Sequence, residues 1–158
     1  MQSPNLTSFS VLVAVIAAAT AFGWWRRRHD GRLRAVRDRR PAAAGPGGTA
    51  AAGDAATLAT LGVRPGAVTL VQFSAPVCAP CRAARRVLDD VAGRLDGVTL
   101  LEVGVDEHLD AARALEVWRT PTVLVVDATG RVVRRAAGVP DRDELLGTLA
   151  PLAARARG

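Results

Sequence analysis

The sequence predicts an α/β domain, a central mixed four-stranded sheet flanked by helices, preceded by one N-terminal transmembrane helix. Three observations carry this expectation. Residues 1–25 hold no charged side chain. From residue 67 onward, short β-rich runs alternate with segments of helical apolar spacing. Near the end, an Asp-Ala-Thr-Gly turn joins two strands with no helix between them.

Each element follows from local chemistry. After a short tail (1–5), residues 6–25 (LTSFSVLVAVIAAATAFGWW) are apolar or weakly polar. Twenty helical residues rise about 30 Å, the thickness of a bilayer's hydrocarbon core. Trp24 and Trp25 stand where interfacial aromatics belong. A signal peptide would place positive charge before the apolar run, whereas here it comes after. Residues 26–40 form a basic juxtamembrane segment, and positive flanks stay on the cytoplasmic side. The expectation is therefore a single-pass protein of the cell membrane, with its N-terminus outside and its globular domain in the cytoplasm. Residues 41–56 (PAAAGPGGTAAAGDAA) read as a flexible linker spanning about 20 Å root-mean-square.

The globular domain is expected over 57–155. Residues 67–73 (AVTLVQF) are a buried strand. Residues 79–95 have helical spacing, with Cys81, Ala84, Val87, Leu88, Val91 and Leu95 on one face. Residues 98–105 form a second strand and 107–117 a short helix. Residues 122–126 form a third strand, 127–130 the turn and 131–136 a fourth strand. Residues 141–154 are a last helix with Asp141 as its cap and Pro151 as a flaw near its end. Crossover helices imply parallel pairing in the first half, and the tight turn implies antiparallel pairing at the end.

The chain carries a net charge of +6, and every one of its 21 Lys/Arg positions is Arg. Residues 26–40 hold eight Arg against two Asp, which is the whole of that charge. The remaining thirteen Arg are balanced by thirteen acids. Basicity confined to one stretch beside an apolar helix is a membrane flank, and no nucleic-acid partner is expected.

There are two cysteines, Cys78 and Cys81. Such a pair can be a metal half-site, a local structural disulfide or a redox couple. Zinc wants four ligands, and His29 and His108 lack ligand spacing to the cysteines, so no metal is expected. A disulfide closing so short a loop constrains little chain entropy and is a poor staple. A redox couple fits the local physics better. Cys78 would stand at a helix N-terminus, where orphan N–H groups and the helix dipole stabilise a thiolate. Cys81 lies one turn in, and Pro80 is tolerated in a first turn because its missing N–H has no partner there.

Residues 68–92 (VTLVQFSAPVCAPCRAARRVLDDVA) resemble the active-site strand and helix of thioredoxins. Residues 119–139 (RTPTVLVVDATGRVVRRAAGV) resemble their later segment, in which an X-Pro bond is cis and faces the cysteines. The likeness covers about residues 57–155. It implies a thioredoxin fold and a membrane-tethered thiol–disulfide oxidoreductase that reduces protein disulfides. Cys78 would be the attacking thiol and Cys81 the resolving one, flanked by Val77, Ala79 and Pro80. Thr120 would offer its backbone to an extended substrate. Pro121 would be the cis-proline, although only about 5–6% of X-Pro bonds are cis. Gly138 would complete the groove. The resemblance implies no cofactor beyond the redox-active pair. It implies protein or small-molecule disulfides as substrates. The electron donor would be a thioredoxin reductase or another dithiol protein.

The departures are specific. Thioredoxins usually carry aromatic residues where this chain has Val77 and Ser74. Trp118, three residues before Pro121, is the candidate replacement wall. Thioredoxins also place a buried Asp and a Lys where this chain has Gln72 and Glu102. A buried carboxylate beside a thiol serves as a proton shuttle, and Glu102 is the candidate for it. Two other readings stay open: a thioredoxin-fold interaction module without turnover, and an outward-facing oxidoreductase serving envelope disulfides or cytochrome maturation.

Overall fold

A computed structural model describes residues 4–36 and 49–158. They belong to two compact units, Met1–Asp30 and Gly31–Gly158. Residues 37–40 of the basic segment and 41–48 of the expected linker lie outside the described residues, as do residues 1–3.

The first unit is one helix, α1 (Pro4–His29). Its stretch Ser8–Trp25 has a mean hydropathy of 1.7 and is long and apolar enough to cross a membrane. None of that stretch is buried against protein. Thr20 donates its hydroxyl to the Ile16 carbonyl at 2.7 Å, so this polar side chain is satisfied within the helix.

The second unit holds β1 (Arg34–Ala35), α2 (Thr49–Thr60), β2 (Val68–Ser74), α3 (Ala79–Ala92) and β3 (Val98–Gly104). It continues with α4 (Leu109–Ala114), β4 (Thr122–Val126), β5 (Val132–Ala137) and α5 (Arg142–Ala156). The sheet order is β1-β5-β4-β2-β3. β2 runs parallel to β3 and antiparallel to β4, and β4 is antiparallel to β5. β2 is thus paired on both sides, and its residues Val68–Phe73 are all buried. That is why it reads as a continuous apolar run rather than an alternating one.

Successive β2 side chains enter opposite faces. Val68 and Leu70 join Leu88 and Val91 of α3 and Leu145 and Leu149 of α5. Val71 and Phe73 join Leu58 of α2, Ala112 of α4 and Leu115. Two apolar layers therefore sandwich the sheet. α5 starts where expected, with Asp141 Oδ1 accepting from the Glu144 N–H at 2.9 Å. The expected turn is also present: Asp127 Oδ1 accepts from the Thr129 and Arg131 N–H groups, and Gly130 takes φ +82°.

Three expectations require correction. Residues 49–56 are helical, the start of α2, and not flexible linker. The sheet has five strands, because β1 from the basic segment pairs antiparallel with β5. Three contacts flank it there: Gly31 N–H donates to the Ala137 carbonyl at 2.7 Å, Val36 N–H to the Val133 carbonyl at 3.3 Å, and Leu33 N–H to Glu144 Oε1 at 3.1 Å. The short helix expected over 107–117 spans only six residues. It ends because Glu116 adopts φ +53° and Val117 N–H reaches back to the Ala112 carbonyl. Arg135 of β5 then donates to the exposed carbonyls of Leu115 and Glu116.

Leu58 is the buried anchor of α2, at 1% exposure. Leu58→Ala is expected to destabilise the protein by about 2–5 kcal/mol in urea denaturation. A loss under about 0.5 kcal/mol would mean that α2 is not docked on the sheet.

Candidate active site

The site is built where β2 hands over to α3. Cys78 is the N-cap of α3, with an extended backbone at φ −136° and ψ 94°. Its sulfur accepts from the Cys81 N–H at 3.1 Å, so it occupies the place of a helix-capping acceptor. Pro80 lies in the first turn of α3. Cys78 and Cys81 are joined in a disulfide with Cα atoms 5.2 Å apart. Cys78 retains 8% exposure and Cys81 3%. Cys78 is thus the less covered residue of the two.

Gln72 lies beneath the pair and is fully buried. Its Nε2 donates to the Cys81 carbonyl at 3.0 Å. Its Oε1 has no hydrogen-bond partner among the described residues. The first turn of α3 is thereby fastened to β2 through a side chain that cannot titrate.

The later motif arrives at the same end of the sheet. Phe73 pairs with Thr122, so the residues just before β4 stand beside the end of β2. The Thr120–Pro121 bond is cis, as the resemblance implied. Gly138 N–H donates to the Pro121 carbonyl at 2.8 Å. Gly138 itself has φ +101°, a conformation that favours glycine. Thr122 donates its hydroxyl to the Arg119 carbonyl at 2.7 Å, closing the loop ahead of Pro121.

The side chains expected around the pair divide in two. Val77 is 98% exposed and Trp118 82% exposed, so neither packs as a wall. The burial assumed for Glu102 is absent. Its side chain is 40% exposed and sits 2.6 Å from Arg85 Nη1, in an ion pair. The reason is its strand: β3 is the edge of the sheet, and only Val103 of its seven residues is buried. An exposed, paired carboxylate lacks the burial that would make it a proton shuttle.

Sequence reasoning missed a hollow of about 520 Å³ beside the disulfide. Both cysteines line it, along with Ser74, Gly104 and charged side chains of α3 and the β3–α4 loop. The signal was present in Ser74, a small residue where an aromatic was expected. The matching Gly104 gave no signal until the strand register was known.

Comparison with known proteins agrees with this geometry. The family model for thioredoxin matches residues 63–150. A thioredoxin of Chlamydia trachomatis is 34% identical over 79 residues, covering 50% of this chain and 76% of that protein. Thioredoxin H2-1 of rice, Oryza sativa, is 38% identical over 82 residues, covering 52% of this chain but only 58% of the rice protein. Among solved structures, a mutant thioredoxin from Halobacterium salinarum is similar with a TM-score of 0.50 and 28% identity, over 54% of this chain and 74% of its own. With the family model covering more than half of its length and the cysteine pair at its strand–helix junction, this chain belongs to the thioredoxin family.

Proposed function

We propose that the protein is a membrane-tethered thiol–disulfide oxidoreductase that reduces protein disulfides. The observation that carries this is the disulfide at the N-terminus of α3, with Cys78 as the helix cap and Cys81 the more buried residue. In the dithiol form, the Cys81 N–H that now points at Cys78 Sγ would solvate a thiolate there. The positive end of α3 favours the same charge. The Cys78 thiolate attacks a substrate disulfide, forming a mixed disulfide and releasing one substrate thiolate. Cys81 then attacks Cys78 Sγ, releasing the second thiolate and restoring the Cys78–Cys81 bond. Two electrons pass to the substrate, and no other cofactor is required. A thioredoxin reductase or another dithiol protein would return the pair to the dithiol form. Thr120 and Gly138 would present backbone groups to an extended substrate, with Pro121 between them in the groove.

The tether would be α1, and the arginines that follow it favour a cytoplasmic position for the domain. In a reducing compartment the dithiol form prevails, which favours reduction of substrates over their oxidation.

Proton handling would be unusual. Gln72 is amidated, Glu102 is solvent-exposed, and the described residues contain no buried carboxyl group. The pH dependence of exchange should then reflect the cysteines alone.

Four outcomes test this reading and the geometry behind it. With dithiothreitol as donor, Cys78→Ser should reduce insulin no faster than dithiothreitol alone. Cys81→Ser should accumulate a mixed disulfide with its substrate. Turnover by Cys78→Ser equal to that of the unmodified protein would rule out the assignment. On intact cells, a membrane-impermeant thiol reagent applied after gentle reduction should leave both cysteines unlabelled, and labelling would place the domain outside. Gln72→Glu would bury a carboxyl group and raise its pKa above the unfolded value of about 4.3. Below that value the buried group is protonated and the penalty small. As pH rises toward the raised folded value, stability is lost by about 1.4 kcal/mol per pH unit of elevation. Urea denaturation at pH 4.5 and pH 8 should show the larger deficit at pH 8. Equal deficits would mean that position 72 reaches solvent.

A further inference from the structure

We propose that the hollow beside the disulfide is a binding site for a low-molecular-weight disulfide, or its thiol, carrying both a carboxylate and an ammonium group. The proposal rests on the exchange activity above and specifies where, and with what charges, a small disulfide would be held beside the same cysteines.

The hollow has a structural origin. β2 and β3 run parallel, and their register ends at Ser74 opposite Gly104. These residues share the sheet face of Gln72 and Glu102, the face that α3 covers. At the last pair, one side chain is a hydroxymethyl and the other is absent. The sheet therefore offers almost nothing to fill the space under the start of α3. The resulting volume of about 520 Å³ lies within the range of small-molecule sites, about 300–1,000 Å³. Gly104 also shapes one wall. A Cβ there would come within 3.0 Å of Asp106 Oδ1 and 3.6 Å of Glu107 Oε2. A larger residue there would push the Asp106 carboxylate aside by a few tenths of an ångström.

Charges of both signs line the hollow. α3 supplies Arg82 and Arg86, one helical turn apart. Neither side chain has a hydrogen bond or ion pair among the described residues. Their neighbour Arg85 is already committed to Asp89 and Glu102. The β3–α4 loop supplies Asp106 and Glu107, which also have no partner among the described residues. Arg94 and Arg142 both reach Asp90, so α3 readily forms ion pairs elsewhere. Two uncommitted cations from the helix and two uncommitted anions from the loop, lining one cavity, suit a small dipolar ligand. Its carboxylate would meet the guanidinium groups and its ammonium the carboxylates. Both sulfurs of the redox pair line the same cavity.

The chemistry balances. The Cys78 thiolate attacks one sulfur of the ligand R–S–S–R. The Cys78–S bond forms as the ligand S–S bond breaks, and RS⁻ leaves with the electron pair and takes a proton from water. Cys81 gives its proton to water and attacks Cys78 Sγ, and the second RS⁻ leaves and is protonated. One dithiol and one R–S–S–R become the Cys78–Cys81 disulfide and two R–SH. Run in reverse, two molecules of the thiol supply the electrons that reduce the protein.

The test uses the full chain, reduced, in detergent micelles at pH 7. Second-order rate constants are measured with cystine, which carries both charges, cystamine, which carries only ammonium, and dithiodiglycolate, which carries only carboxylate. Cystine should react about tenfold faster than either. Arg82→Ala and Asp106→Asn should each erode that advantage while leaving the cystamine-to-dithiodiglycolate order to follow the remaining charge. Ser74→Trp should fill the hollow and bring cystine down to the level of the other two. If Ser74→Trp fails to fold by circular dichroism, the two charge variants decide. Cystine with no advantage in the unmodified protein, or an advantage untouched by both charge variants, overturns the site. Insulin reduction by the same samples separates the two levels. If insulin is reduced but cystine is not favoured, the pocket proposal alone fails. If neither is reduced, the exchange activity fails with it.

Discussion

Strand β2 is hydrogen-bonded on both sides, parallel to β3 and antiparallel to β4, and buried over six consecutive residues. Every feature of the site is referred to its C-terminal end. The parallel register sets Ser74 against Gly104 and opens the hollow. The antiparallel register sets Phe73 against Thr122 and brings Pro121 to the same edge. The chain leaving β2 turns into α3 with Cys78 as the cap, and Gln72 ties that turn back to the strand. A shift of one residue in β2 would turn Val71 and Phe73 away from their core and release Gln72 from Cys81. Packing and site geometry are thus one constraint.

The parts of this arrangement that were legible in the sequence are those with strong local signals. β2 and β4 are mostly apolar and do not alternate, because both faces are covered. α3 shows its buried stripe at Cys81, Ala84, Leu88 and Val91, and α5 shows its Asp141 cap. The turn at 127–130 announces itself through Asp127 and Gly130. The cysteine pair at the strand–helix junction was readable for the same reason.

The parts that were not legible depend on tertiary context. α2 is TAAAGDAATLAT, in which Leu58 is the only large apolar residue, and its Ala-rich start continues a Pro/Gly-rich stretch. Alanine is a strong helix former, but the flanking composition reads as linker. β1 pairs Arg34 with Arg135, a like-charge opposition that no pairing preference would suggest. Backbone and Glu144 contacts from distant residues hold it in place. Glu102 was a candidate for a buried carboxylate only through its place on the strand beside Gln72. The edge position of β3 and the reach of Arg85 decide otherwise.

The central claim is that Cys78 and Cys81 form a reversible two-electron couple rather than a fixed staple. Its most direct measurement is a redox titration of the full chain in dithiothreitol buffers, with free thiols counted by alkylation and intact mass. The account expects both thiols to appear together in a single transition, following about 30 mV per tenfold change in the buffer ratio, and to vanish together on reoxidation. A pair that stays oxidised across the whole range, or one that is reduced only as the protein unfolds, would contradict it.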